Sequence, residues 1–162
     1  MSKITPCLWF TSDAEEAAKF YVSLMPGSEI RKVQRSPADN PSTKEGSVLV
    51  VEFTLGGQPM IALNGGMKQE YTHALSLMID CEDQAQVDYI WDAILKHGGK
   101  EEQCGWIRDR WGVAWQVVPK SMFQFLASSD RAGAKRAMQA MMKMVKLDVE
   151  ALRQAFEGKS AA

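Results

Sequence analysis

The side chains in this sequence that could do chemistry crowd into residues 105–119, GWIRDRWGVAWQVVP. Three of the five tryptophans, Trp106, Trp111 and Trp115, fall within ten residues here, with Arg108, Asp109 and Arg110 between them. Indoles offer apolar area and an N–H that needs an acceptor. The stretch therefore reads as a hairpin that completes a core, or as one wall of a ligand pocket. The Arg108-Asp109-Arg110 run suits an anion clamp or a general acid/base at the rim; the plainer reading is a solvated ion pair worth little. Cys104 beside Trp106 reads as buried and inert, because no histidine lies near it in sequence. Of the two histidines, His97 stands before Gly98-Gly99 as a helix C-terminal residue. His73 shares strand parity with Leu75, Leu77 and Ile79, which turns it toward a helix-packed face. Catalytic residues are not assigned.

Composition narrows the class of function. A net charge of −1 with acids and bases interspersed argues against nucleic acid as a partner. No apolar run approaches the roughly 18 residues of a membrane span, so no membrane partner is expected. MSKITPCLWF enters strand-like sequence without the charged and apolar regions of a signal peptide. Cys7, Cys81 and Cys104 form neither a CxxC nor a disulfide framework, which makes cytoplasmic the expectation. With 46% hydrophobic residues in 162, the chain suits one domain or two small halves sharing a core.

The elements that must position these residues follow from periodicity. Residues 4–10 predict a strand, and Ser12 and Asp13, each with a glutamate three residues on, predict a doubled capping box. Ala14, Ala17, Ala18, Tyr21, Leu24 and Met25 mark a helix face stopped by Pro26-Gly27. A strand at 28–35, a polar loop at 36–46 and a strand at 47–55 follow, the last alternating Leu49, Val51, Phe53 and Leu55. Gly56-Gly57 turns into a strand at 59–63, which ends at Asn64-Gly65-Gly66. Residues 71–80 predict a strand, Asp83 with Gln86 a capping box, and Val87, Ile90, Trp91, Ile94 and Leu95 a helix face. Beyond Pro119, residues 121–127 and 130–145 read as helices, and Asp148 caps a last one bearing Val149, Leu152 and Phe156. The methionine stripe of the second helix suits core or dimer contact.

The pattern repeats. Shifting the first helix by 70 residues lays Asp13 on Asp83, Ala17 on Val87, Phe20 on Ile90 and Leu24 on Ile94. The predicted fold is α+β: two βαβββ modules, at about 1–68 and 69–120, with a helical extension at 121–162 belonging to the same domain.

A duplicated βαβββ unit with Phe20-Tyr21 in its first helix resembles the vicinal-oxygen-chelate superfamily of glyoxalases, ring-cleaving dioxygenases and bleomycin- or fosfomycin-resistance proteins. Within it, LWFTSDAEEAAKFYVSLMPGSEI, MIALNGG and QCGWIRDRWGVAWQVVP resemble the PhnB-like family, labelled 3-demethylubiquinone methyltransferase-like. The tail ending in KLDVEALRQAFEG is also similar to the family's. The resemblance implies a homodimer whose strands curl into cups that hold a ligand.

It also implies positions for a divalent metal, and these read poorly. They fall on Pro6, Met60 and Gln116, with His73 as the remaining candidate, so no metal and no cofactor is expected. The strand-to-helix turns Thr11-Ser12-Asp13 and Cys81-Glu82-Asp83 lack the glycines of a nucleotide cradle. By parity the cup is lined by Met60, Ala62, Asn64, Ser76, Met78, Ala114, Gln116 and Val118, bordered by the tryptophans. Asn64, Ser76, Met78, Trp106, Asp109, Trp111 and Gln116 are the candidate ligand-binding residues. Asn64 and Gln116 could instead serve strand-end and hairpin pairing. The expected function is binding of a small, mostly uncharged organic molecule. The alternative is a metal-dependent or methyltransferase-type enzyme acting on a quinone-like or antibiotic-like substrate.

Overall fold

Alternation of Val51, Phe53 and Leu55 makes the strand it predicts, β3 (Val48–Leu55), with those three side chains buried against a helix. The computed structural model describes residues 4–159 and divides the chain between Glu70 and Tyr71. Residues 1–3 of the first predicted module and 160–162 of the extension lie outside the described residues.

The first unit consists of β1 (Cys7–Phe10), α1 (Ala14–Ser23), β2 (Glu29–Arg35), β3 and β4 (Gln58–Asn64), with strand order β1-β4-β3-β2. β1 runs parallel to β4 and the other pairs are antiparallel. Ala14, Ala17, Ala18, Tyr21 and Leu24 are buried, with the Tyr21 ring 6.4 Å from Phe10 and 6.3 Å from Phe53. One predicted lining is overturned here. Ala62 pairs with Leu8 and Val51, Met60 with Phe53, and Asn64 with Phe10, so all three share the helix-packed face. A period of two leaves no intermediate choice: placed one residue out of register, a strand turns its whole set to the opposite face.

The cap of α1 also differs from expectation. Asp13 is the N-cap residue but its side chain makes no cap bond. Asn64 does this work from across the sheet: Oδ1 accepts from the Ala14 N–H at 2.9 Å, and Nδ2 donates to the Val48 carbonyl at 2.9 Å. The glycines after it make room. A side chain at Gly65 would overlap the Trp9 ring, whose Nε1 donates to the Met67 carbonyl at 2.7 Å.

The second unit repeats the topology with β5 (Leu77–Cys81), α2 (Gln84–Lys96), β6 (Lys100–Glu101), β7 (Trp106–Arg108) and β8 (Ala114–Pro119), in the order β5-β8-β7-β6. Here the cap is local: Asp83 accepts from the Gln86 N–H, while Gln86 reaches back one residue further than a capping box requires and accepts from the Glu82 N–H at 2.7 Å. Val87, Ile90, Trp91 and Ile94 are buried, as are Trp115 and Ile107, which pair with each other across β8 and β7. The strand predicted at 71–80 begins only at Leu77; residues 73–75 form a turn and a bend, with Leu75 exposed. The Thr72 hydroxyl accepts the Ala74 N–H and Arg108 takes the Tyr71 carbonyl, so this backbone is engaged outside any ladder.

The extension belongs to the second unit and forms α3 (Lys120–Leu126), α4 (Arg131–Met141) and α5 (Val149–Glu157). Val118, Met122, Leu147 and Leu152 make its core, with Phe125, Leu126, Met141 and Met144 packed on it. Val118, expected in the cup, is therefore covered by the chain's own helices. The helix predicted at 130–145 stops at Met141, where the Lys143 and Met144 N–H groups turn to carbonyls three residues back, and the carbonyls beyond serve another segment. Met144 O accepts the Cys104 N–H and Val145 O the Gly105 N–H, both at 2.8 Å.

Candidate ligand site on the second sheet

Residues opposite one another in a sheet share a face. Met78 pairs with Gln116 on β8, and Gln116 with Trp106 on β7, so the three stand in one row across three strands. This is the face opposite Ile79, Val117 and Ile107, which are buried. Met78 is 51% exposed, and Trp106 and Gln116 are half-buried. Gln116 Nε2 donates to Ser76 Oγ at 2.9 Å, which ties the row to the loop before β5. The result is an apolar surface with an amide and a hydroxyl at its centre. Small-molecule sites in general combine apolar walls with a few such polar groups.

One edge of the row carries a network that the sequence reading did not anticipate. His73 lies edge-on to Trp106, with ring centroids 5.4 Å apart. Its Nε2 is 2.6 Å from Glu102 Oε2, and its Nδ1 is 2.9 Å from Arg108 Nη2. Donors and acceptors balance when Nε2 carries the proton and Nδ1 accepts from the guanidinium. Arg108 Nε donates to Glu102 Oε1 at 2.9 Å, while Nη1 reaches the carbonyls of Tyr71 at 3.1 Å and Gly112 at 3.2 Å. Burial pushes the Glu102 carboxyl up, but the hydrogen bonds and charges of His73 and Arg108 outweigh it and hold the group below the usual carboxylate range. An open cleft of about 790 Å³ lies against His73, Glu102, Cys104, Trp106 and Val145. A sequence signal for the network existed: Trp106 and Arg108 are two apart on a strand and so share a face.

Of the residues expected to bind ligand, Ser76, Met78, Trp106 and Gln116 come together. Three others are placed elsewhere. Asn64 caps α1 in the first unit. Asp109 is 5% exposed: Oδ1 accepts the Trp111 and Val113 N–H groups at 2.9 and 3.0 Å, and Oδ2 accepts Trp115 Nε1 at 2.9 Å. It holds the hairpin from inside and is not a rim acid. Trp111 lies at the C-terminal end of α2, 5.5 Å from the His97 ring and under the Arg110 guanidinium at 4.9 Å. Arg108 is likewise no free anion clamp, since its donors are already shared among four partners.

The residues at the inherited metal positions do not fit a divalent ion. Pro6 has no side-chain donor, Met60 faces α1, and the Gln116 amide is bound to Ser76. Among the described residues, no group of three or more His, Cys, Asp or Glu side chains is placed to hold a metal. Cys81 offers no soft ligand either: burial first, then the Asp80 carboxylate, push its thiol up to about 11.

Two β-α-β-β-β units, each with its first strand parallel to its last, make up a duplicated α+β fold. Within it, residues 2–118 match the family described as 3-demethylubiquinone-9 3-methyltransferase, and the chain belongs to that PhnB-like family. A PhnB protein from Bacillus cereus is 32% identical, covering 73% of this chain and 99% of its own, with a TM-score of 0.64. A Pseudomonas aeruginosa protein of the same fold is 18% identical over 74% of this chain and 98% of its own, with a TM-score of 0.61. No curated protein matches the chain. Among the described residues, no helix is long and apolar enough to cross a membrane.

Proposed function

We propose that this PhnB-like protein binds a small organic molecule on the open face of its second sheet and does so without the superfamily's metal. The observation that carries the reading is the Met78–Gln116–Trp106 row, an apolar strip with a central amide, bordered by a cleft. The poor fit of Pro6, Met60 and Gln116 to a metal supports binding over electrophilic catalysis. The methyltransferase label finds little support in the strand-to-helix turns, Thr11-Ser12-Asp13 and Cys81-Glu82-Asp83, which contain no glycine to cradle a nucleotide-type cofactor. The proposed working form is a cytoplasmic homodimer, which light scattering at several concentrations tests.

The functional test has two arms. Thermal shift against Mn²⁺, Fe²⁺, Ni²⁺ and Zn²⁺ should leave the melting temperature unchanged. A bound metal would stabilise the fold by about 2.7 kcal/mol at a hundred times its dissociation constant. Small aromatic compounds should instead raise the melting temperature, and Gln116→Ala should abolish that rise at little cost in stability. A stoichiometric metal, or ligand shifts indifferent to Gln116, would make the reading untenable.

A further inference from the structure

The chain continues past Val118, where the match to the family ends, and part of that continuation reaches the cleft. Residues 144–147 run as a strap along the start of β7. Cys104 and Gly105 take positive φ angles of 60° and 81°, which present their successive N–H groups to the carbonyls of Met144 and Val145. Leu147 is fully buried beside Gly105, where a Cβ would come within 2.9 Å of its Cδ1. The strap is pinned on its far side too. Gln84 donates to the Leu147 carbonyl at 3.1 Å and accepts the Val149 N–H at 2.8 Å, and Lys146 pairs with Asp88 at 2.8 Å. Four anchors on so short a segment fix Val145 in place at the cleft, half-buried.

We infer that this strap is the closing wall of the ligand site, with Val145 setting the size of molecule admitted, and that the cleft takes a flat apolar ring bearing a hydrogen-bond donor or an ammonium group. The inference rests on the second-sheet reading and deepens it. Trp106 and Val145 supply the apolar walls. On the polar side stands the carboxylate of Glu102, whose oxygens keep lone pairs to spare beside their bonds to His73 and Arg108. The nearby cation, Arg108, is already committed to Glu102, His73 and two backbone carbonyls. The π face of Trp106 adds to the preference for positive charge over negative. An anionic ring would meet the Glu102 carboxylate and no available guanidinium.

The test is an NMR titration of the ¹⁵N-labelled full chain with benzylamine, phenol and benzoate in turn. Benzylamine and phenol should shift the amides of Gln103, Trp106 and Val145, and benzoate should bind at least about tenfold more weakly than benzylamine. Val145→Trp, which narrows the cleft against Trp106, should weaken benzylamine at least about tenfold while leaving the amides of residues 4–70 unmoved. If that variant does not fold, Val145→Ala decides, with an expected loss of about threefold from the missing methyl groups. Shifts at Met78 and Gln116 that neither Val145 variant alters would overturn the strap while leaving the second-sheet reading intact. Benzoate binding as tightly as benzylamine would overturn the charge preference. No shift in the second unit with any probe would remove both readings together.

Discussion

The two units share a strand order and a parallel outer pair, yet they solve one local problem differently. α1 is capped by Asn64, from the end of a strand fifty residues later in the chain; α2 is capped by Asp83, its own immediate neighbour. Their open faces differ as well. Glu52 of the first sheet is hydrogen-bonded to Gln34 and Arg31 pairs with Glu29, whereas the second sheet offers Trp106, Gln116 and Met78. Buried faces carry the common architecture in both units. What each unit can bind is decided on the other face, where packing makes few demands.

The comparison can be broken most forcefully in the second core. Trp115→Ala should cost about 3–5 kcal/mol in chemical denaturation, since a fully buried indole and its bond to Asp109 are lost together. Asp109→Ala should follow at about 3 kcal/mol, because three donors lose their acceptor. A rim acid would cost almost nothing. The caps come next. Asn64→Ala should cost about 2 kcal/mol and Asp83→Ala about 1, while Asp13→Ala should stay below about 0.5. Equal losses at positions 13 and 64 would mean that α1 is capped locally after all.

Smaller effects sharpen the picture. Because Glu102 is held below its ordinary value, its contribution is complete above the unfolded-state pKa and fades as pH falls through the folded one. Glu102→Gln should therefore be less stable than the parent at pH 7, by less than about 1 kcal/mol for this part-exposed group. The gap should close on acidification, and a gap that widens toward pH 3 would contradict the network. Smallest of all is a contrast in thiols. Iodoacetamide at pH 8 should modify exposed Cys7 and spare Cys81, read by peptide mass spectrometry.

How much of this was legible follows from distance along the chain. The α2 cap, both helix faces and the β3 alternation are written in residues three or four apart, or two apart, and were readable. The Asn64 cap and the Asp109 anchor were not, because their side chains satisfy groups that only the fold brings near. Position by position, Asn64 looked like a ligand-orienting amide; the backbone N–H of Ala14 has no signature in sequence. His73 was misjudged for a related reason. The parity argument needed a strand through Leu75, and side-chain bonds to the Tyr71 carbonyl and the Ala74 N–H engage that segment outside the ladder. Met78 and Gln116 share a face as read from the sequence, because alternation alone decides it.

The bonds from Cys104 and Gly105 to the strap also impose an order on the making of the protein. On the ribosome, which releases the N-terminal part of a chain first, the first unit has every residue it needs once residue 70 has emerged, with Asn64 already able to close over α1. The second unit has its sheet by Pro119, yet the amides of Cys104 and Gly105 must wait for Met144 and Val145, and Val118 stays uncovered until Leu147 and Leu152 follow. A nascent chain stalled between these points carries one finished half and one open hydrophobic edge, the kind of surface that chaperones recognise.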